Sequence, residues 1–287
     1  MAKSAARRGK LWTTPAVQAL RAAKDVDVAE LDAAGTPGFR GDKVAGAALL
    51  AEREPRLSAL QEKLYANGRS GDHRAVLLVL QGMDTAGKGG IVRHVIGAVD
   101  PQGVDHASFG VPTEEEKQHH YLWRIRNALP RAGRIGVFDR SHYEDVLVVR
   151  VHNLVPPDVW EPRYDEINAF EKEVVDAGTA IVKVALVISK DEQHDRLRER
   201  LERPDKYWKY NPGDVDERGF WPDYQQAYQA MLDRTNTAHA PWFLLPADRK
   251  WFARLAVTEL LIHTLESMDL DWPPPNFDVE TELRRLG

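Results

Sequence analysis

The sequence predicts an α/β fold with a parallel five-stranded sheet and helices on both faces. The first observation is an unbroken apolar run, Ala75 to Leu80, which suits a strand buried on both sides. The second is a glycine-rich loop directly after that strand, followed by a helical pattern. The third is the alternation of strand and helix segments between residues 134 and 245, which indicates a βαβ series.

Residues 1–70 are expected to form a tail and a helical extension outside the sheet. Residues 1–10 carry four basic side chains and are predicted to be a tail, with a basic contact arm as the alternative. Residues 11–42 contain turn-forming prolines and glycines and are expected to be irregular. A helix is predicted from about residue 43, with Pro55 starting a second helix that ends at Asn67-Gly68.

The loop after the first strand has the spacing of a phosphate-binding loop. Its sequence from Gly82 to Lys88 matches G-x-x-x-x-G-K, in which backbone N–H groups surround phosphate oxygens and the lysine reaches a terminal phosphate. Apolar residues then recur at helical spacing from Ile91 to Val99, so the loop should lie at a helix N-terminus, which favours an anion. The predicted phosphate-site residues are Gly82, Thr85, Ala86, Gly87, Lys88 and Gly89.

The loop departs from the usual motif in a way that concerns metal binding. Gly89 stands where a Ser or Thr hydroxyl normally ligates magnesium, so the metal should be held elsewhere. Asp84 lies inside the loop, where a carboxylate about 4 Å from a phosphate charge would cost ~4 kcal/mol. A cation between the two removes this cost, so Asp84 is expected to bind the metal or its water. The alternative is an aspartate that accepts local N–H bonds.

The next two predicted strands cover residues 104–108 and 134–138. Between them, Thr113 and Glu116 fit a capping box for a helix that should run to about Leu129. The second of these strands ends at Asp139, at the sheet edge where open α/β folds bind ligands. An aspartate there is the expected metal partner of a phosphate loop.

A polar segment follows Asp139 directly. Arg140 either neutralises charge on a transferring phosphoryl group or forms a structural ion pair with Glu144 or Asp145. His142 is expected to pack or to hydrogen-bond rather than act as a general base, because a phosphate acceptor is already anionic.

Two further strands are expected at 181–188 and 242–245, separated by a charged helix. Its arginines fall at i, i+4 and i+7, and one basic face of this kind suits a lid that closes over a polyanion. The alternative is a solvated helix with i,i+4 ion pairs such as Glu192 with Arg196 and Glu199 with Arg203. The lid residues expected to meet a polyanion are Arg196, Arg200, Arg203, Lys206 and Lys209.

The last long helix, about Arg249 to Met268, is apolar around most of its circumference and should be buried. The tail from Asp269 is expected to be extended. The predicted organisation is a tail and helical extension at 1–70, a core at 71–268 with a lid at about 190–222, and a tail at 269–287.

Composition excludes several classes of protein. The chain has 287 residues, no cysteine and a net charge of −5, so disulfides, thiolate metal sites and a general attraction for nucleic acid are not expected. No apolar run approaches the ~18 residues of a membrane span and no secretion signal is apparent, so a soluble cytoplasmic protein is expected.

Taken together, these segments resemble the polyphosphate kinase 2 family over roughly residues 45–268. The matching segments are Gly82-x-Asp84-x-x-Gly87-Lys88, Phe138 to Asp145, Pro204 to Lys209, Leu122-Trp123-Arg124, Ala240-Pro241-Trp242 and Ala247 to Trp251. The resemblance implies a P-loop kinase-like fold with a helical lid. It also implies magnesium-dependent transfer of phosphoryl groups between inorganic polyphosphate and nucleotides, with manganese as the alternative ion, and it suggests a homo-oligomer.

The resemblance also implies roles for individual residues. Lys88 should bind the transferring phosphate, and Asp84 and Asp139 should hold magnesium. Arg140 and the lid cations should line the polyphosphate path, and Arg124 and Glu144 should belong to the nucleotide site. The run His142-Tyr143-Glu144 resembles the branch that phosphorylates AMP, or AMP and ADP both, where ADP-preferring members read Trp-Tyr-Asn.

Two other functions are compatible with parts of the sequence. An ATP-dependent nucleoside-monophosphate kinase resembling thymidylate kinase also has a phosphate loop and Asp-Arg after a strand, but the missing hydroxyl at Gly89 argues against it. A nucleotide-switch module would need Asn-Lys-x-Asp after a strand, and the sequence has none. The choice between adenine and guanine, the direction of transfer, the chain-length preference and the oligomeric state are left open.

Overall fold

A computed structural model describes residues 11–287 of the chain. The predicted basic tail at residues 1–10 lies outside the described residues. The five strands are all parallel and lie in the order β2-β3-β1-β4-β5, which confirms the predicted sheet. Their bounds are β1 Ala75–Gly82, β2 Val104–Ser108, β3 Ile135–Asp139, β4 Thr179–Val187 and β5 Trp242–Pro246.

Helices pack on both faces of this sheet, and shorter 3₁₀ turns connect several of them. The α-helices are α1 Ala16–Ala19, α2 Lys43–Arg69, α3 Lys88–His94, α4 Leu122–Asn127, α5 Val148–Val151, α6 Pro157–Trp160, α7 Arg163–Asp176, α8 Lys190–Glu202, α9 Gly213–Glu217, α10 Trp221–Thr235, α11 Lys250–Ser267 and α12 Val279–Leu286. The 3₁₀ turns are Ile96–Ala98, Pro101–Gly103, Glu116–Gln118, His142–Asp145, Pro204–Lys209 and Arg218–Phe220.

The apolar run of β1 lies at the centre of the sheet and contributes to two cores. Val76, Leu78 and Leu80 face the core formed with α2, α3 and α11. Leu77 and Val79 face the opposite core, which α7 and α10 cover. Because successive side chains of a strand point to opposite faces, a continuous apolar run fills both cores at once.

The prediction that Pro55 starts a second helix is wrong, because α2 is continuous from Lys43 to Arg69 with Pro55 inside it. Pro55 and Ala51 both lie on the exposed face of the helix. The carbonyl that loses its intrahelical partner therefore belongs to a turn that water reaches. Burial of Leu49 and Leu57 on the other face holds both halves of the helix against α11.

The predicted capping box forms, but the long helix after it does not. The Thr113 N–H donates to Glu116 Oε2 at 2.8 Å, and the Glu116 N–H donates to Thr113 Oγ1 at 3.2 Å. The cap opens only the 3₁₀ turn Glu116–Gln118, because the backbone of His119 is extended at ψ 167°. The helix predicted to run to Leu129 is instead the separate α4, Leu122–Asn127.

The C-terminal region contains the predicted buried helix, α11, and one unpredicted helix. Residues 269–278 are not helical, but α12 follows at Val279–Leu286, so the prediction of an extended tail is wrong for that part. The Asp278 carboxylate caps α12 by accepting the Thr281 N–H at 2.6 Å. Over residues 11–287, no helix combines the length and apolar character needed to cross a bilayer.

Candidate active site

The phosphate loop connects the carboxyl end of β1 to the start of α3. Gly87 adopts a left-handed φ of +117°, a conformation that glycine tolerates, and Lys88 begins the helix. The Lys88 Nζ donates to the Gly82 carbonyl at 2.6 Å. Burial lowers the pKa of Lys88 below its ordinary value, against the opposing effect of nearby Asp84 and Asp139. A phosphate at this point would favour the charged ammonium.

Arg140 follows the neighbouring strand β3, whose last residue Asp139 pairs in register with Leu80 of β1. Its Nη2 donates to Asp84 Oδ1 at 3.0 Å, and its Nη1 lies 3.8 Å from Glu144 Oε2. The structure therefore joins the end of β3 to the phosphate loop through one guanidinium. The sequence suggested that Arg140 pairs with Glu144 or Asp145. The pair with Glu144 is present, at 3.8 Å.

Asp145, the other suggested partner, pairs instead with Arg163 at 3.0 Å. The Glu144 carboxylate accepts the Gln81 side-chain N–H at 3.0 Å. Burial raises the pKa of Glu144 above its ordinary value, against the effects of Arg140 and of this hydrogen bond.

Two residues at the junction of β1 and β3 have strained backbones. Thr85 and Arg140 have φ values of +66° and +64°, in the left-handed region that non-glycine residues rarely adopt. Within residues 11–287, the buried hydroxyl of Thr85 has no hydrogen-bond partner. Strain of this kind persists where the surrounding structure enforces it, often at a functional site.

Two cavities meet at Asp84. The larger, of about 690 Å³, extends over the phosphate loop toward α8 and α11. The smaller, of about 320 Å³, lies beside Arg140 and Glu144 and is closed by Tyr224 and Tyr228 of α10. Asp84 lines both cavities. A group held in one cavity would therefore face a group held in the other across this carboxylate.

The larger cavity is a cationic groove. Its walls carry eight cations, which are Lys88, Arg93, Arg196, Arg200, Lys206, Lys209, Lys250 and Arg254. They carry three carboxylates, which are Asp84, Asp139 and Glu199. This local excess of positive charge contrasts with the net charge of −5 for the whole chain. It supplies the local anion attraction that the composition lacks.

The lid arginine Arg196 differs from the expectation that it contacts a polyanion. It is only 5% exposed, and Nη1 donates to the carbonyls of Thr85 and Ala86 at 2.8 and 3.1 Å. Its Nη2 donates to the carbonyls of Ala247 and Asp248 at 2.6 and 2.9 Å, and its Nε donates to Glu192. All five N–H donors are thus used by protein. Arg196 ties the phosphate loop to the loop between β5 and α11.

The other lid residues divide between the groove and solvent. Arg200, Lys206 and Lys209 line the groove, as expected. Arg203 does not line the groove, because α8 ends at Glu202 and the helical spacing does not extend to residue 203. Its guanidinium pairs with Asp205 at 2.8 Å and with Glu199 at 3.2 Å. The suggested surface pair of Glu199 with Arg203 is therefore formed.

Arg124 lies outside both cavities. It is 9% exposed, and its Nη1 donates to the Gly110 carbonyl at 2.9 Å. Its guanidinium also lies 5.5 Å from the centre of the Phe109 ring. The structure thus packs Arg124 against the loop after β2 and not in the predicted nucleotide site. His142, in contrast, is buried and hydrogen-bonded to Glu171 at 3.1 Å, in the packing role expected from the sequence.

Several residues that line the cavities were not predicted. In the groove these are Arg93, His94, Lys250 and Arg254, and in the smaller cavity Asn211, Asp214, Glu217, Tyr224 and Tyr228. The i,i+4 spacing of Lys250 and Arg254 in an otherwise apolar helix was an available signal. The unpredicted residues of the smaller cavity belong to none of the motifs described above.

The carboxylates of the cationic groove are candidate ligands for a divalent cation. Within residues 11–287, no cluster of three or more His, Cys, Asp or Glu side chains is arranged to hold a metal. Asp84 and Asp139 nevertheless line the same groove beside Lys88. Magnesium commonly binds through one or two carboxylates, with phosphate oxygens and waters completing its shell. The residues present therefore fit a metal that binds together with a phosphate substrate.

Comparison with known proteins identifies the family. The family model for polyphosphate kinase 2 matches residues 41–273. The chain belongs to the polyphosphate kinase 2 family. An AMP/ADP-polyphosphate phosphotransferase of Meiothermus ruber is 48% identical over 249 residues, covering 87% of this chain and 92% of that protein. An ADP-polyphosphate phosphotransferase of Rhodopseudomonas palustris is 43% identical over 241 residues, covering 78% and 81%.

The solved structures agree with this assignment. The crystal structure of polyphosphate kinase 2 from Arthrobacter aurescens TC1 superimposes with a TM-score of 0.94 at 50% identity, covering 96% of this chain and 97% of the other. The P-loop kinase-like fold predicted from the sequence is thereby confirmed, as is the resemblance to this family.

Proposed function

We propose that this polyphosphate kinase 2 transfers the terminal phosphoryl group of inorganic polyphosphate to AMP and to ADP. The observation that carries the proposal is the meeting of two unlike cavities at Asp84. The cationic groove suits a polyanionic donor, and the smaller cavity, with tyrosine and aliphatic walls, suits a nucleotide acceptor. The names of the relatives from Meiothermus ruber and Rhodopseudomonas palustris support this choice of substrates.

In the transfer, an oxygen of the acceptor phosphate attacks the terminal phosphorus and the bridging P–O bond breaks. The polyphosphate leaves one unit shorter with the electron pair of that bond. Little covalent chemistry is required of the protein, so positioning and charge neutralisation dominate. Lys88 would hold the terminal phosphate. Arg140 lines the smaller cavity and donates to Asp84, where the two cavities meet and charge would develop.

Magnesium, or manganese in its place, would be held by Asp84 and Asp139. The ion would neutralise phosphate charge and hold the donor in line for attack. Arg140 pairs with Asp84 at 3.0 Å, so this carboxylate is already oriented at the junction of the cavities. Within the described residues, no backbone N–H bonds to the Asp84 carboxylate, which agrees with a ligand role more than with a local turn role.

Glu144 is proposed to bias the acceptor site toward AMP as well as ADP. It lines the smaller cavity beside Arg140, and burial raises its pKa. Asp84, Lys88, Asp139 and Arg140 form the proposed reacting centre. We further propose that the enzyme is a cytoplasmic homo-oligomer that acts on adenine nucleotides, with guanine nucleotides as the alternative.

The test supplies purified protein with magnesium and long-chain polyphosphate, adds AMP or ADP separately, omits ATP and resolves the products by chromatography. We expect ADP from AMP and ATP from ADP. Conversion of ADP alone would place the chain in the ADP-preferring branch and reject the role of Glu144. Absence of product from polyphosphate, together with monophosphate phosphorylation once ATP is added, would favour an ATP-dependent nucleotide kinase.

A further inference from the structure

The smaller cavity has two walls that come from different parts of the fold. One wall is the 3₁₀ turn His142–Asp145 after β3, which places Glu144 beside Arg140. The other wall is α10, whose Tyr224 and Tyr228 close the cavity. A pocket binds a small ligand well when its walls cover most of the ligand surface. The separation of the turn from α10 therefore decides how well an acceptor fits.

A buried charged network joins these two walls. Its centre is Lys183 of β4, the strand between β1 and β5, together with Glu171 of α7, and both side chains are fully buried. The lysine Nζ donates to Glu171 Oε2 at 2.6 Å, and to the Tyr143 hydroxyl and the Thr235 carbonyl at 2.8 Å each. A lysine ammonium has three hydrogens, so every donor of Lys183 is used.

The turn is attached to this network by two adjacent side chains. The Tyr143 hydroxyl donates to Glu171 Oε1 at 2.7 Å, and His142 Nε2 hydrogen-bonds to the same oxygen at 3.1 Å. Glu144 is the next residue of the same turn, so these two contacts place its backbone. Its carboxylate is then oriented by the Gln81 side chain of β1, which donates to it at 3.0 Å. The position of Glu144 in the cavity thus depends on Glu171.

The helix α10 is attached to the network at its last residue, Thr235. The Thr235 carbonyl is one of the terminal carbonyls that have no partner within a helix, and it accepts from Lys183. The Thr235 hydroxyl accepts the indole N–H of Trp242 from β5 at 2.9 Å. Tyr228 lies about 10.5 Å before Thr235 along the helix axis. Anchoring the helix end to β4 and β5 therefore holds Tyr228 relative to the turn.

Stability alone does not account for charges at this place. Removing two charges from water costs free energy, and well-packed apolar residues of similar volume often give equal or greater stability. Apolar cores also tolerate repacking, and they lose a unique arrangement before they lose stability. Hydrogen bonds constrain both distance and angle, so a fully satisfied network fixes one arrangement of the elements that it joins. The charged pair thus supplies geometry that apolar packing lacks.

We infer that Lys183 and Glu171 are positioning residues that hold Glu144 and Tyr228 at the spacing required by the nucleotide acceptor. The inference rests on the proposed function, because it assumes that the acceptor occupies the smaller cavity. Among the described residues, the walls of the cationic groove include no member of the network. The network should therefore affect binding of the acceptor and leave binding of the donor unchanged.

The main experiment uses the double variant Glu171→Leu with Lys183→Met, which removes both charges together. Its melting temperature should stay near that of the parent. At saturating long-chain polyphosphate, the KM for AMP should rise by about tenfold, whereas the KM for polyphosphate at saturating AMP should change by less than about twofold. The ratio of kcat/KM for AMP to that for ADP should fall, because Glu144 is proposed to favour AMP. A purely structural role would change none of these quantities in a variant as stable as the parent.

Tyr143→Phe breaks the connection to the turn by a smaller change. It removes only the hydroxyl and keeps the ring, whose centre lies 4.7 Å from that of Trp242. The KM for AMP should rise by about threefold, as expected for one lost hydrogen bond. Thr258→Val is the matched control, because it removes a buried hydroxyl of α11, on the other face of the sheet, that donates to the Arg254 carbonyl at 3.0 Å. This control should keep the KM of the parent for AMP.

Titration of each protein with AMP in the absence of donor measures acceptor binding without turnover. Weaker binding by the double variant and by Tyr143→Phe, with parent-like binding by Thr258→Val, is the expected result. Parent-like binding and KM for AMP in both network variants would overturn the inference and leave the proposed function intact, as would equal rises in the KM values for AMP and polyphosphate. A parent enzyme that forms no ADP from AMP and polyphosphate would instead overturn the proposed function.

Discussion

The surroundings of the Lys88 ammonium favour the binding of a phosphate. Its ammonium donates to the Gly82 carbonyl at 2.6 Å and has no direct ion pair within the described chain, although burial lowers its pKa. A bound phosphate would give the Lys88 ammonium an anionic partner in place of the neutral Gly82 carbonyl. The phosphate would lie at the N-terminus of α3, where the helix dipole also favours negative charge. These surroundings support the proposal that Lys88 binds the transferring phosphate.

Replacing Lys88 by Ala should lower kcat by about 10²-fold or more, because one charge-stabilising donor is lost from the reacting centre. Circular dichroism and thermal melting should show a folded protein. Lys172→Ala is the control, since this lysine is exposed on α7 and pairs with Asp176 of the same helix. An unchanged kcat in the Lys88 variant would remove the phosphate loop from the mechanism.

Arg196 links the phosphate loop to the loop between β5 and α11, so we expect it to position the phosphate loop rather than to contact the substrate. Replacing it by Ala would leave four backbone carbonyls in two loops without their donor, at a cost of about 1–3 kcal/mol for each one that stays buried. We expect a lower melting temperature and a lower kcat, with little change in the KM for polyphosphate. Arg196→Lys should not restore either quantity, because an ammonium cannot reach both loops.

Arg203→Ala is the matched control for Arg196, and we expect it to behave as the parent enzyme because Arg203 lies outside the groove. If Arg196→Ala raised the KM for polyphosphate but kept the kcat and melting temperature of the parent, Arg196 would contact polyphosphate, as the sequence predicted.

The residues that sequence predicted best are those fixed by strand ends. Asp139 and Arg140 had to meet the phosphate loop, because β3 is parallel to β1 and ends at the same edge. The expected position of Arg203 was wrong because it assumed that the helix continues past Glu202, where α8 ends. Arg93 and Arg254 were missed because surface arginines on helices are ordinary, and only the packing of α3 beside α11 places them in one groove.

At the level of elements, burial of one face of α2 outweighs the tendency of proline to interrupt a helix. Pro55 was expected to start a helix, since proline fits a first turn. The helix continues through it because Leu49, Leu57 and Leu64 are buried on one side, while Pro55 faces water on the other. The strands were predicted more reliably, because an apolar run of five or six residues between polar breaks has few alternatives in a parallel sheet.

Pro55→Ala should raise the free energy of unfolding by about 1–2 kcal/mol. Proline in a helix interior is about 3 kcal/mol less favourable than alanine, and the stiffer unfolded chain offsets part of this. Chemical denaturation of the variant and the parent measures the difference, and kcat should not change because α2 lies outside both cavities. A less stable variant would show that proline is needed for the shape of α2.

At the scale of the molecule, the two cores are held on one continuous sheet, and one of them contains a charged network. Lys183 of β4 and Glu171 of α7 are both 0% exposed and pair at 2.6 Å. The Lys183 Nζ also donates to the Tyr143 hydroxyl and to the Thr235 carbonyl, each at 2.8 Å. The network thus links the turn after β3, which carries Glu144, to α7 and α10.

This network predicts how stability depends on pH. Burial alone raises the pKa of Glu171, but Lys183 and His142 outweigh it and hold the pKa below its ordinary value of 4.5. A carboxyl group with a lowered folded pKa contributes stability above its unfolded pKa and loses it as the pH falls through the folded pKa. Acid should therefore destabilise the protein in part by leaving the Lys183 ammonium unpaired in the core.

Glu171→Gln should lower the free energy of unfolding at neutral pH by about 3–5 kcal/mol, because it breaks a buried pair. The double variant Glu171→Leu with Lys183→Met should recover most of that loss, since it removes both charges together. Chemical denaturation at about pH 4 and about pH 7 should show a smaller acid-induced loss in the double variant than in the parent. A double variant as acid-sensitive as the parent would place the cause elsewhere in the protein.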